Sequence, residues 1–355
     1  MHSTPAKAAA DDPLAPAGRR SGRQRAGTAL GFSLALAALA AAVVASLAIG
    51  ARSIPPTEVI EALLGRGSQD VVGIVGELRV SRTVMGVTCG AALGVAGALM
   101  QAVTRNSIAD PGILGVNAGA ALGVVLGASV TGGLGLASTV WFALVGAGVA
   151  SAIILLLSAS RMAAASPVRL TLAGVALAAV LSGFSQALVV LDESVLESYR
   201  FWQVGSLTAR PVDQVTGVIP LIIAGAAISL LLLRGLDALA LGDDSATSLG
   251  VKPGRVRIWS LVAVALLAGT ATALAGPIGF IGLIVPHVAR GIVGPGLRRI
   301  VPLSIVLAPA LLLFSDVLGR VIGGGAEIPA GVVTAFIGAP LLIALLVTRR
   351  RVVVA

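Results

Sequence analysis

The chain has 355 residues, 57% of them hydrophobic and only 12% charged, with a formal net charge of +9 and a mean hydropathy of +1.00. A soluble domain carries roughly 25% charged residues, so this composition describes a membrane protein, and spans of about 20 residues fill most of its length. The basic residues sit at the ends of apolar runs and form no continuous patch, and aromatics are only 3%, which argues against a nucleic-acid partner.

Residues 1–26 are rich in Ala, Pro and Arg, with Arg19, Arg20, Arg23 and Arg25 near the end, and read as a disordered basic tail. The apolar run over about 27–50 is too long for a signal-peptide core, which extends roughly 7–15 residues, and reads as the first span. Further spans are expected at about 83–103, 113–130, 138–158, 169–191, 215–234, 258–275, 278–293, 301–321 and 331–348, with only the turn at Gly276-Pro277 between two of them. The expected fold is therefore an all-α polytopic membrane protein of about ten transmembrane helices, with a transmembrane domain over 27–355. The connections at about 51–78 and 192–213 are too long for simple turns. The first holds a short amphipathic helix after Pro55-Pro56; the second holds Phe201-Trp202, an aromatic pair suited to a membrane interface. In the span at 83–103, Gly90, Gly94 and Gly97 recur at helical spacing, a face on which another helix backbone can approach closely. Cys89 reads as a small buried hydrophobe.

Charge orients these spans. With the N-terminus in the cytoplasm, the basic tail, Arg105, Arg161 with Arg169, the 234–257 loop, Arg290 through Arg299 and Arg349-Arg350-Arg351 all fall inside. Arg52, Arg66, Arg79, Arg82, Arg200, Arg210 and Arg320 remain outside. The excess lies on the cytoplasmic side, as the positive-inside rule requires.

Several chemistries lack their residues. With one cysteine and two histidines, His2 and His287, no intrachain disulfide or His/Cys metal cluster can be built. His287 reads as a hydrogen-bonded structural residue. A phosphate-binding loop needs Gly-x-x-x-x-Gly-Lys-Ser/Thr; Lys252 lies in GVKPG and Lys7 in the tail, so neither fits. No clustered catalytic groups mark an enzyme. An ion-coupled secondary carrier, the competing class, needs a carboxylate within the membrane. Asp316 is the main candidate, but Arg320 lies one helical turn away and offers a local ion pair.

A polytopic chain with no energy source of its own suits one part of a larger machine, which predicts a cytoplasmic docking element. The stretch LALGDDSATSLGV, residues 239–251, has that form. Gly242 and Gly250 can bound a short helix, with Asp243 and Asp244 in its first turn, where the helix dipole favours negative charge. Leu239, Leu241, Ala246 and Leu249 can supply an apolar side. Just after the second span, TRNSIADPGILG (104–115) has Asn106 and Asp110 placed to cap turns, with Pro111 and Gly112 breaking the helix.

Five stretches in order, ELRVSRTVMGVTCGAALGVAGALMQAVTRNSIADPGILGVNAGAALG (77–123), WQVGSL (202–207), LGDDSATSLGV (241–251), AGPIGFIGLIVPHVAR (275–290) and EIPAGVVTAFIGAPLLIALL (327–346), resemble the FecCD-type permeases of ABC importers, from about residue 30 to the C-terminus. Ser81 and Ser107 stand where that family usually has proline, which relaxes local backbone constraint. The resemblance implies a cobalamin-importer-permease-like bundle in a bacterial inner membrane, multi-pass, with both termini cytoplasmic. It implies a second permease subunit, identical or sister, two cytoplasmic ABC ATPases that bind the ATP, and an extracytoplasmic substrate-binding protein or lipoprotein. No cofactor and no enzymatic activity are expected of the chain itself. The cargo implied is a ferric siderophore, with haem or cobalamin as the alternatives within the family. Residues carried over are Leu241, Gly242, Asp243, Asp244, Ala246, Leu249 and Gly250 for ATPase coupling, Arg79, Arg82 and Arg320 for gripping the binding protein, and Ala164, Ala165 and Ser166 for a cytoplasmic gate.

Overall fold

The computed structural model describes residues 17–50, 54–131, 136–159, 167–207, 212–323 and 326–353. Each expected span contains a helix: α1 (Ala17–Ala48), α4 (Val80–Thr104), α5 (Val116–Thr131), α6 (Leu136–Ala159), α7 (Pro167–Leu191), α9 (Val212–Leu239), α11 (Pro253–Ala275), α12 (Ile281–Val293), α13 (Leu297–Ile322) and α14 (Ala330–Val353). Short helices fill the connections: α2 (Pro56–Leu63) and α3 (Gln69–Gly73), α8 (Glu193–Gln203), and α10 (Asp243–Ser248). Residues 1–16 of the expected tail lie outside the described residues, and from Ala17 the chain is already helical. Over 17–26 no proline interrupts the helix after Pro16.

Among the described residues, seven apolar helices are long enough to cross a membrane, and α5, α12 and the apolar part of α14 are shorter. At 1.5 Å per residue, α12 reaches only about 20 Å, less than the roughly 30 Å of a hydrocarbon core. The irregular segment 276–280 completes its path, and the end of α11 before it is tied to neighbouring backbone. The Ser206 N–H donates to the Ala275 carbonyl at 2.8 Å and the Gly331 N–H donates to the Gly205 carbonyl at 2.8 Å. Backbone groups freed from a helix inside a bilayer need such partners. WQVGSL, the Gly276-Pro277 turn and the start of α14 therefore meet at one place. Gly205 sits there with φ +66, so close to Pro277 that a Cβ would overlap its carbonyl oxygen.

α4 is the centre of the bundle, packed against α9, α11, α12 and α13. Its glycine stripe makes this possible. A Cβ on Gly90 would stand 2.6 Å from the Pro309 Cα, and one on Gly94 would stand 2.8 Å from the Ser304 carbonyl oxygen, both on α13. A Cβ on Gly97 would overlap the backbone of Gly282 on α12. Helices α1, α7 and α9, by contrast, turn most of their apolar surface outward. The aromatic pair on α8 divides: Phe201 is exposed, while Trp202 packs into the core, so only Phe201 has the interfacial position expected of both.

Gly97→Val should force α4 from α12 and lower the stability of the detergent-solubilised protein by about 2 kcal/mol. Gly148→Ala, on α6 with nothing within 4 Å, should change it by less than about 0.5 kcal/mol. Thermal unfolding in micelles measures both.

Candidate functional site

The chain's polar chemistry gathers at the two ends of α4, about 35 Å apart by helical rise. At one end three arginines converge. Arg79, in a π-helical turn (Ile74–Arg79) leading into α4, donates from Nη1 to the carbonyls of Leu47 and Ala48, each at 2.8 Å. It thereby caps the C-terminus of α1, whose last carbonyls have no helical partner. One turn on, Arg82 grips Asp316 of α13 with Nη2 to Oδ1 at 2.7 Å and Nε to Oδ2 at 3.0 Å, while its Nη1 reaches Glu327 Oε2 at 2.6 Å. Arg320 pairs with the other Asp316 oxygen at 2.8 Å and donates to the carbonyls of Ser46 and Ile49 at 3.0 and 2.5 Å. Ser46 and Thr83 share a hydroxyl hydrogen bond at 2.8 Å.

The Asp316–Arg320 pair expected from their one-turn spacing is present, and Arg82, distant in sequence, completes it. The arginines carried over for binding-protein docking are thus brought together, but with their guanidinium groups turned inward. Arg79, Arg82 and Arg320 are 5%, 8% and 5% exposed and Asp316 is 0% exposed. In this protomer they tie the ends of α1, α4 and α13 together. A carboxylate held between two guanidinium groups within the bundle has its charge compensated on the spot.

At the other end stands α10, bounded by Gly242 with φ +111 and Gly250 with φ +78, as expected of the 239–251 stretch. The backbone at both joints is left-handed, which glycine adopts without penalty. The apolar residues of the stretch do not share one side, because Leu239 belongs to α9 while Leu241 and Leu249 flank α10. Leu239 and Ala246 are buried, while Leu241 and Leu249 stand 68% and 66% exposed. The acids divide as well. Asp243 pairs with Arg105 at the end of α4 and with Arg257 Nη2 of α11 at 2.9 Å; Asp244 is exposed. Asp237 accepts the Leu297 N–H at 2.9 Å, fixing the start of α13 beside the end of α9.

The turn after α4 is built as its sequence suggests. Asn106 Oδ1 accepts the Ile108 N–H at 3.1 Å and Asp110 Oδ1 accepts the Gly112 N–H at 2.8 Å. Burial pushes the Asp110 carboxyl above the usual carboxylate range, and the Gly112 N–H pulls it part of the way back. Gln101 donates to the carbonyls of Gly282 and Leu283 at 3.3 and 3.1 Å and accepts from Arg290 at 3.3 Å, locking α4 to α12. Cys89 is buried. Ala164, Ala165 and Ser166, expected at the gate, lie outside the described residues. No group of three or more His, Cys, Asp or Glu comes together among the described residues. A groove of about 650 Å³ between α1, α12 and α13 is lined wholly by apolar side chains, with nothing to orient a polar cargo.

Among the described residues, ten apolar helices with one small helix set between glycine joints form the architecture of a multi-pass membrane protein. Residues 38–348 match the FecCD transport family, and the chain belongs to that family. It is 48% identical over 307 residues to the ferric enterobactin transport system permease protein FepD of Escherichia coli (strain K12), across 86% of this chain and 91% of that protein. It is 36% identical to the probable siderophore transport system permease protein YfiZ of Bacillus subtilis (strain 168), across 86% and 92% of the two chains. A solved inward-facing structure of a metal-chelate type ABC transporter superposes with a TM-score of 0.77 at 27% identity, across 90% of this chain and 98% of that one.

Asp316→Asn should strand the buried Arg82 and Arg320 and cost about 3 kcal/mol or more. Glu327→Gln removes a carboxylate that is 35% exposed and should cost less than about 1 kcal/mol. Thermal unfolding of the two purified variants in detergent separates them.

Proposed function

We infer that this chain is the transmembrane subunit of an ATP-driven importer that moves ferric siderophores into the cytoplasm by alternating access. The observation that carries this reading is α10: a short helix between two glycine joints, with Leu241, Asp244 and Leu249 exposed around it at one end of the bundle. Exposed apolar anchors beside a charge are what a docked partner would cover. The partner we assign is a cytoplasmic ABC ATPase, which binds the ATP, with one ATPase for each of two permease subunits. Leu241, Asp244 and Leu249 would meet it, Ala246 would root α10 in the bundle, and Gly242 and Gly250 would let it bend.

The Asp243 end then faces the cytoplasm of a bacterial inner membrane, with both termini on that side. In support, Arg105, Arg234, Lys252, Arg255, Arg257, Arg298 and Arg299 gather at this end. The opposite end receives a loaded binding protein or lipoprotein. Arg79, Arg82 and Arg320 serve that dock by fixing the shape of the surface, since their guanidinium groups are buried and bonded within the chain. The chelate passes between the two permease subunits, and the chain's own groove between α1, α12 and α13 is too apolar to serve. Ferric siderophore is the cargo we assign, in keeping with the ferric enterobactin and siderophore permeases it is similar to. The iron travels inside its chelate and needs no ligands from the protein.

Leu241→Glu with Leu249→Glu changes two exposed side chains and should leave yield and unfolding temperature unaltered. It should reduce capture of an ATPase from the native membrane about tenfold or more and abolish accumulation of radiolabelled ferric siderophore. Equal capture by the variant and the wild type would remove α10 as the joint.

A further inference from the structure

Asp243 and Asp244 are neighbours, yet they face different ways. Asp244 is directed outward with Leu241 and Leu249. The Asp243 carboxylate is turned back into the bundle, where Arg105 and Arg257 share it. Arg105 is unusual in its own right. It caps the C-terminus of α4 in the left-handed region, φ 51 and ψ 31, where glycine is the ordinary choice and a side chain is disfavoured. A long cationic side chain at this position is aimed by the strained backbone away from the helix and onto Asp243.

We propose that Arg105 is a positioning residue for energy coupling: through Asp243 it fastens α10 to the end of α4, so that displacement of α10 moves α4 as a whole. This rests on α10 being the element that seats the ATPase. The tie is needed because α10 is otherwise loosely held. Ala246 is its only buried residue, and the left-handed glycines at either end put little side-chain resistance in the way of a pivot. Left to those joints, the helix would tilt under load without moving the bundle. The choice of α4 as the receiving element also follows from its packing. It touches α9, α11, α12 and α13, and its far end holds Asp316 and Glu327 through Arg82. A push delivered at Arg105 therefore reaches the core and the opposite surface together. Arg257 adds a second hold on the same carboxylate, joining α11, which also packs on α4.

The Arg105 and Asp243 side chains are each more than a third exposed. Such a pair contributes little to static stability, so Arg105 can be replaced without unfolding the protein.

The test uses the permease reconstituted in proteoliposomes with its co-purifying ATPase, the binding protein and a radiolabelled ferric siderophore. Arg105→Gln should keep normal yield and ATPase capture but accumulate about fivefold less chelate per ATP hydrolysed. Arg105→Lys should restore most of that ratio. Combining Arg105→Gln with Asp243→Asn should be no worse than Asp243→Asn alone. A spin label on exposed Leu78, in the π-helical turn that leads into the far end of α4, should move on ATP addition in the wild type and stay still in Arg105→Gln. Loss of ATPase capture by Arg105→Gln would overturn the proposal by making Arg105 a contact. An unchanged uptake-to-hydrolysis ratio, or a label that still moves, would overturn it by making the ion pair idle. Absence of any captured ATPase from the wild type would instead bring down the importer reading, and this proposal with it.

Discussion

The arrangement of the bundle turns on one carboxylate. Asp316 has no exposed surface, and two guanidinium groups, from α4 and from one turn along α13, close on it. An uncompensated charge at such a site would cost several kcal/mol, so α4 and α13 must meet there at fixed height. Arg320 also donates to the carbonyls of Ser46 and Ile49 at the end of α1, and Arg79 beside it holds those of Leu47 and Ala48. One ionic junction thus sets the register of three helices. The glycine stripe on α4 takes up that register below the junction, bringing Gly90 and Gly94 against α13 and Gly97 against α12.

α4 is consequently both the most enclosed helix and the one that ends in ionic contacts at either side. In a bilayer, helix association gains little from the hydrophobic effect, since lipid is as apolar as leucine. Close backbone packing and internal polar contacts do the work instead. A rod held that way transmits displacement well. The opposite character belongs to α10, which has glycine joints, one buried side chain and exposed leucines. The chain therefore pairs a stiff centre with a compliant attachment, a division that suits a subunit driven from outside itself by another protein.

Much of this was legible in the sequence because it is periodic or local. Apolar runs located each spanning helix, the glycines at 242 and 250 bounded α10, and the one-turn spacing of Asp316 and Arg320 announced their pair. Contacts between residues far apart in the chain left no such mark. Arg82 meets Asp316 across 234 residues and Arg105 meets Asp243 across 138, so neither pairing could be read from spacing. For the same reason the distant acceptors that Arg79, Arg82 and Arg320 find within the chain could not be read from the sequence. Trp202 and Phe201 looked alike as an interfacial pair, and only the tertiary packing of α8 shows that Trp202 is enclosed and Phe201 is not. The short reach of α12 was likewise hidden, because an apolar run does not show where its first helical hydrogen bond forms.

The central claim is that the chain moves its cargo on energy supplied by a partner that hydrolyses ATP. The most direct measurement is accumulation of radiolabelled ferric siderophore by cells expressing the chain with its partners, under ATP depletion with the proton gradient held, and under gradient collapse with ATP held. The account predicts that uptake stops when ATP is removed and persists when only the gradient is removed. Uptake that survives ATP depletion and fails with the gradient would contradict it and identify an ion-coupled carrier.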